Sequence, residues 1–528
     1  GSTGTSNSSN ASESNIISVY GSEPAHPLFP GNTTEAGGGK VVDQLFAGLV
    51  TYDAKGGIHN EVADSITSSD NATHYVIKLK SGWKFTDGTP VTAHSFVNAW
   101  NYTANSANKQ ASASFFSTIE GYDDLQKPDV DPKATLSGLT VVDDNTIDVK
   151  LSQPDSAFPV KAGSHAYMPL PESAFKDPKK FGQHPVSNGP YKFVSWQHNH
   201  SIEMVKNPDY KGNRTPKNDG VTFKVYTKDD AAYADIQSGA LDVMESVPAS
   251  ATKTFETDET VQAYNKAGSV IQQFTIPSSL KHFEAGTEEG TLRRQAISMA
   301  INRENICDKV LNGTGTPAVD FTSPLTPGYS DSLKGVGNLK YNEKKAKELW
   351  EKANAISPWT SDDKLTFAYN ADGGHETTYT AVVNSINNTL GSEVAATNPY
   401  PTFNDYRTAV SDRKVQGAFR SGWQPDYPSA ENYLVANYAS AAADGNGSND
   451  GDYKNSEFDD LCSKAAAAQT TDEANKLYQQ AQEVLLNDLP AVPLYYANAY
   501  GVAATGVSGF EMNWQNLPVY ENMTKSGK

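Results

Sequence analysis

The sequence predicts a multidomain protein of mixed α/β or α+β class. Its 528 residues exceed what one hydrophobic core usually serves, so two or three domains are expected. Short runs rich in aromatic and β-branched residues alternate along the chain with longer stretches whose apolar residues recur at helical spacing. Pro and Gly punctuation, as at Gly189-Pro190 and Asn207-Pro208, separates the strand-like runs.

Residues 1–15 are almost entirely Gly, Ser, Thr and Asn, which cannot bury enough surface to order themselves; they predict a flexible tether, with folded structure beginning near Ile16. Val76, Leu79, Trp83 and Phe85 suit a half-buried pleated surface. Asp87-Gly88 supplies a turn, and Thr92 can cap a helix carrying the Phe96, Val97, Ala99, Trp100 stripe. Further strands carry Tyr191 and Phe193, then Ile202, Met204 and Val205, and a helix runs from near Asp229 to Gly239. Leu292, Ala296, Ile297, Ala300 and Ile301 mark another helix, and loops follow at Gly313-Thr314-Gly315 and Ser323-Pro324. The remaining expectations are a solvated helix over 341–354, a strand over 365–370 and a helix over 376–390. A last helix is capped by Thr471 or Asp472 and stopped by Pro490, before a strand at Pro493–Tyr496.

Charge and motifs exclude several functions. A formal charge of −19 and a pI near 5.0 disfavour nucleic acid or an anionic membrane surface as partner, because both require clustered Lys and Arg. No run of about eighteen apolar residues is present; the longest candidate, Ala491 to Ala504, is interrupted by Pro493 and Asn498. No secretory leader is visible, which fits either a cytoplasmic chain or a mature form whose leader has been removed. Cys307 and Cys462 could form one bridge or remain buried thiols. Gly39-Lys40 is followed by Val41, so the triple glycine is not a phosphate loop, and neither HExxH nor GxSxG occurs. His198-Asn199-His200 is an isolated pair, expected to face solvent from a strand, and Asp123-Asp124 and Asp143-Asp144 lie in polar turns. These readings predict neither an enzyme nor a metal or cofactor site.

Several stretches carry a family resemblance: Ser81-Gly82-Trp83-Lys84-Phe85-Thr86-Asp87-Gly88-Thr89-Pro90-Val91-Thr92-Ala93, then Ser187–Trp196 and Lys206–Gly212. Gly239-Ala240-Leu241-Asp242, Leu292–Arg303 and Pro493–Tyr496 extend it. Together they closely resemble the large extracytoplasmic solute-binding proteins of peptide-type ABC transporters. That resemblance implies a two-lobed periplasmic-binding-protein-like α/β fold with an extra inserted subdomain, three structural domains around a hinge. Lobe I would draw on 16–56, 181–273 and 495–528, the subdomain on 57–180 and lobe II on 274–494. It also implies a monomeric extracytoplasmic receptor that captures peptides in an interlobe cleft and delivers them to an ABC permease. Such a receptor meets the membrane only through a lipid-bearing N-terminal cysteine, which this chain does not contain. Oligosaccharide- and nickel-binding receptors of the same family are alternatives, and a peptide hydrolase, from another class, has no supporting motif.

The candidate site residues centre on Arg420-Ser421-Gly422-Trp423-Gln424-Pro425-Asp426-Tyr427-Pro428. A carboxylate held in a partly dry cleft suits an ammonium group, and Trp423 and Tyr427 offer flat apolar surface. By resemblance, Asp426 grips a peptide α-amino group; read from the residues alone, it is first of all a turn aspartate capping its neighbours. Arg420 could meet a peptide carboxylate or an acidic side chain, or form a salt bridge inside its lobe. Arg413 is a second candidate whose spacing from Trp423 is shorter than the family pattern. The resemblance also implies that Asn370 and His375 contact peptide backbone or C-terminus, that Tyr406 forms an aromatic wall unless it is a core or surface tyrosine, and that Glu35 is a first-lobe acid closing over the ligand amine, although Thr34 fits that register almost as well.

Overall fold

The structure is a computed structural model and describes residues 15–526; the expected tether falls almost wholly outside the described residues. The chain forms two compact units. One comprises residues up to Asn265 with Ala466–Thr471 and Tyr500 onward, the other Lys266–Ala465 with Asp472–Ala499.

The first unit contains strands β1 (Ile16–Gly21), β2 (Val50–Tyr52), β3 (Ile58–Asn60), β4 (Ala63–Ser69), β5 (His74–Leu79), β6 (Leu139–Asp143), β7 (Thr146–Lys150), β8 (Tyr191–Gln197), β9 (Ser201–Lys206), β10 (Gly220–Val225) and β11 (Val243–Met244). Its longer helices are α1 (Ala36–Leu45), α2 (Ala93–Ala104) and α3 (Asp229–Ser238). Strand β1 lies between β10 and β11, parallel to both, and β9 and β8 continue antiparallel from β10. Alternation in β1 turns Ile17 and Val19 into the core. A second, antiparallel sheet has the order β4-β5-β7-β6.

Trp83 and Phe85 do not extend β5 as a long strand. They flank a tight loop closed by a single Lys84–Pro90 bridge, with Phe85 N donating to Thr89 O at 2.8 Å and Gly88 at φ +86°. Both rings are buried, and Trp83 meets Tyr210 edge-on. Thr92 and Ser95 form the capping box of α2, Thr92 N donating to Ser95 Oγ at 3.0 Å, and Phe96 and Trp100 enter the core below it. His198-Asn199-His200 is likewise not on a strand: Asn199, at φ 65°, turns the chain between β8 and β9, and His198 pairs with Glu23 at 2.8 Å.

The second unit holds most of β12 (Val261–Thr275), then β13 (Gly315–Pro317), β14 (Leu365–Asn370), β15 (Ala395–Tyr400), β16 (Ala418–Trp423) and the first part of β17 (Ala491–Ala504). Its longer helices are α4 (Glu288–Met299), α5 (Glu343–Ile356), α6 (Glu376–Leu390), α7 (Phe403–Ser411), α8 (Ala430–Tyr438), α9 (Ser456–Ala466) and α10 (Thr471–Asp488). The chain passes between the units inside β12 and again inside β17. The apolar stretch 491–504 is therefore a strand, and no helix among the described residues is long and apolar enough to cross a membrane.

Two consecutive arginines of α4 are core residues. The Arg293 guanidinium lies over Trp350 and Trp359 and pairs with Glu289 at 2.7 Å, while Arg294 is spent on backbone carbonyls. Cys307 and Cys462 are buried free thiols, each pushed up by burial to about 12, so there is no bridge between them.

Candidate functional site

Strands β14, β15 and β16 run parallel, and β12 closes the group antiparallel to β16. In open sheets of this kind ligands sit beyond the carboxyl ends of the strands, where loops diverge. Those ends here are Asn370, Tyr400 and Trp423. Asn370, His375, Tyr406, Trp423, Asp426 and Tyr427 lie at or just after them, although they are scattered over almost sixty residues of sequence.

At the end of β16 the loop 424–429 leads into α8, whose cap is Ser429 accepting from Glu431 N at 3.2 Å. Asn432, buried in the first turn of α8, ties the loop down. Its Oδ1 accepts from Trp423 Nε1 and from Asp426 N, both at 2.9 Å, and its Nδ2 donates to Asp426 Oδ2 at 3.3 Å. The Asp426 carboxylate is exposed and makes no ion pair among the described residues. An anion so held is pre-positioned at little further entropic cost for a cationic ligand group. Tyr427 lies inward, its hydroxyl donating to Glu431. Gly422 is required by close approach, since a Cβ there would lie 2.9 Å from Ile271 O.

A cationic group stands on the same strand. Arg420 makes no salt bridge among the described residues, and its buried Nε has no hydrogen-bond partner. An uncommitted buried guanidinium nitrogen is costly unless a ligand completes it. Burial, then the neighbouring Arg420 charge, pull His375 down to about 4, so its imidazole is neutral at physiological pH. Asn370 Nδ2 donates to Asp372 Oδ1 at 2.8 Å, which leaves its buried Oδ1 without a partner. Gly373 separates Asn370 from His375: a Cβ there would stand 2.5 Å from Asn370 Nδ2 and 2.7 Å from His375 Nε2. One cation and one anion thus stand near each other in sequence at the carboxyl end of β16, with amide and imidazole groups at the end of β14.

The family described as bacterial extracellular solute-binding proteins, family 5, matches residues 57–445. The dipeptide-binding protein DppE of Bacillus subtilis is 30% identical over 452 residues, covering 84% of this chain and 79% of that protein. The chain belongs to this family. The oligopeptide-binding protein OppA of Bacillus subtilis is 26% identical, covering 89% of this chain and 85% of its own. Among solved structures, an unliganded open form of the murein tripeptide-binding protein MppA superposes with a TM-score of 0.86 at 23% identity, covering 97% of each chain. HbpA2 from Haemophilus parasuis gives 0.80 at 20% identity, covering 97% of this chain and 99% of its own. As a family 5 solute-binding protein, the chain has the two-lobed periplasmic-binding-protein-like α/β fold and is a binding protein of the extracytoplasmic face rather than an enzyme.

The remaining candidates of this family 5 protein lie differently. Tyr406 is a core residue at 1% exposure, packed on Tyr400, and its hydroxyl donates to Arg420 O; it supports the strand that carries Arg420 and presents no open wall. Arg413 precedes β16 and so lies at the opposite, amino end, clamped on Asp452 by contacts of 2.9 and 3.0 Å. Glu35 belongs to the first unit, where it caps α1 by accepting from Gly38 N at 2.8 Å and also takes Ala25 N at 3.2 Å. The residues that sequence reasoning missed are Asn432, Asp372 and Gly373. Tyr379 and Tyr495 also lie close enough to Arg420 for its charge to be felt at both hydroxyls. Only Gly373-Gly374 carried any local signal, as a turn.

Proposed function

We propose that this protein is an extracytoplasmic receptor that binds peptides and hands them to an ABC permease, with Asp426 receiving the α-amino group and Arg420, His375 and Asn370 the carboxylate or backbone carbonyl end. The observation that carries the reading is the pairing on one strand end of an exposed, pre-positioned carboxylate with a guanidinium whose buried nitrogen is uncommitted. A zwitterionic chain complements both charges. The names of the relatives, dipeptide- and oligopeptide-binding proteins, agree. The segment 57–180, which includes the separate β4-β5-β7-β6 sheet, is on this reading the inserted subdomain.

Native mass spectrometry of protein purified without denaturation tests the reading. Adducts that fragment into peptide series are expected, and a mixed peptide library should raise the melting temperature by linkage. Recovery of a haem, bile acid or sugar adduct, with no thermal response to peptides, would refute it.

The neutral His375 adds a proton-linkage prediction. Burial is the larger cause of the lowering and persists, but a ligand carboxylate arriving beside Arg420 offsets the second cause, that cation's charge, so His375 rises above about 4 on binding. Near pH 5 to 6 binding therefore takes up protons, and the calorimetric enthalpy should vary with the ionisation enthalpy of the buffer. Uptake should vanish for C-amidated peptides and in His375→Asn; equal uptake with amidated and free peptides would place the carboxylate elsewhere.

A further inference from the structure

The chain contains three Asn-Gly pairs, Asn188-Gly189, Asn312-Gly313 and Asn446-Gly447. Such a pair carries its own electrophile and nucleophile, the side-chain amide carbon and the next backbone nitrogen, and glycine adds no Cβ to obstruct their approach. The fold decides whether they meet. A backbone nitrogen committed to a hydrogen bond, or a side chain held at both ends, cannot reach the geometry of ring closure.

Two of the pairs are locked. Asn188 is fully buried; its Oδ1 accepts from Ala47 N and its Nδ2 donates to Ala47 O, both at 2.9 Å, while Gly189 N donates to Leu45 O at 2.7 Å. Gly313 N donates to Cys307 O at 2.9 Å, and Asn312 is held in a left-handed turn at φ 53°. The third pair is open. Asn446 and Gly447 are both exposed in the loop between α8 and α9, and neither the Asn446 side chain nor the Gly447 N–H has a hydrogen-bond partner among the described residues. The turn beneath them is nevertheless fixed, Asn446 N donating to Ala443 O at 3.0 Å and Asn449 N to Ala442 O at 3.2 Å.

We propose that Asn446 is a site of spontaneous covalent modification in the folded protein, its amide being converted to a carboxylate through a cyclic succinimide. Once hydroxide has removed its proton, Gly447 N attacks Asn446 Cγ. The N–Cγ bond forms, the Cγ–Nδ2 bond breaks, and Nδ2 leaves as ammonia with protons from water. A water molecule then opens the ring, at Cγ to leave an aspartate at position 446 or at the main-chain carbonyl to leave an isoaspartate, whose backbone is longer by a methylene. The product alters the charge of the loop. Asp444 pairs with Lys454 at 2.7 Å, Asp452 with Arg413 at 2.9 Å and Asp450 with Arg407 at 3.4 Å, so three carboxylates meet three cations. A carboxylate at position 446 leaves that cluster with one negative charge in excess.

Incubation of the full chain at mildly alkaline pH in water enriched in oxygen-18, followed by proteolysis at acid pH and mass spectrometry with electron-transfer fragmentation, tests the proposal. Fragments spanning position 446 should exchange amide for acid with one heavy oxygen, at least about tenfold faster than those spanning Asn188 or Asn312. In denaturant all three pairs should convert at comparable rates, which ties the difference to the fold. Isoelectric focusing of the incubated folded protein should show a more acidic form that is lost in Asn446→Gln, where ring closure needs a further atom. The proposal is overturned if position 446 keeps its amide in the folded chain for as long as the denatured chain takes to convert all three. It is equally overturned if Asn188 or Asn312 converts as fast in the folded chain, or if the acidic form persists in Asn446→Gln.

Discussion

Asp426→Asn is expected to weaken peptide binding by tens to thousands of fold. Desolvating an ammonium group is tolerable only when an opposed carboxylate replaces its water, and truncating one partner of such a pair costs about 2–5 kcal/mol. The substitution isolates charge from shape. Asp426 N–H remains on Asn432, and an amide oxygen at position 426 can still accept from Asn432 Nδ2, so the loop keeps its course. Calorimetry on wild type and variant, each with free and N-acetylated forms of one peptide, forms a double cycle. Acetylated peptide should bind wild type poorly and be nearly indifferent to the substitution. If the two losses add, Asp426 does not meet the amine, and its carboxylate serves only the turn.

The second large effect concerns stability. Arg294 is 1% exposed and donates to Phe283 O at 2.8 Å, Ile276 O at 3.0 Å, Leu489 O at 2.9 Å and Pro277 O at 2.9 Å. It has no carboxylate within salt-bridge distance among the described residues, and burial lowers it to about 10, so it stays charged at neutral pH. Two effects oppose one another in Arg294→Met: relief of a buried, unpaired cation, and the orphaning of the carbonyls of Ile276 after β12, Phe283 before α4 and Leu489 after α10, Pro277 O alone keeping a second donor in Leu280 N. The second wins. Each buried unsatisfied group costs about 1–3 kcal/mol, and Leu489, at φ 45°, has no glycine-like freedom to turn its carbonyl elsewhere. A net loss of about 3–5 kcal/mol is expected, which for a unit of this size is roughly 10 °C in melting temperature. Arg294→Lys, with fewer and unforked donors, should recover only part of it. A Met variant melting within about 2 °C of wild type would show that the carbonyls find water instead.

Much of the fold was legible because local chemistry and tertiary packing agree. The 365–370 strand and the 376–390 helix form as their apolar patterns predict, and Thr92 does cap a helix. The most distinctive stretches of text turn out to serve architecture. Thr86 N donates to Ser187 O at 2.7 Å, and Asn188 exchanges two hydrogen bonds with the Ala47 backbone at 2.9 Å, so those motifs join segments of the first unit. The site was less legible because its geometry depends on strand direction. Arg413 and Arg420 are the same residue type seven positions apart, yet one precedes β16 and the other lies within it, which sends them to opposite ends of the sheet. Asn432 was invisible for a related reason: nothing in its neighbourhood says that α8 folds back to place it under both Trp423 and Asp426.

Gly373 bears on how such a receptor can change its ligand. Because even a methyl group at this position would collide with both Asn370 and His375, a substitution there cannot trim or widen the site by degrees; it must displace the two polar groups together. Gln424, by contrast, is exposed at the rim of the same strand end, where side chains of many sizes can be exchanged without disturbing a neighbour. If Asn370 and His375 meet the peptide as proposed, the site divides into an inflexible half that reads what all peptides share and a permissive rim, and new specificities are reached most readily by drift along the rim.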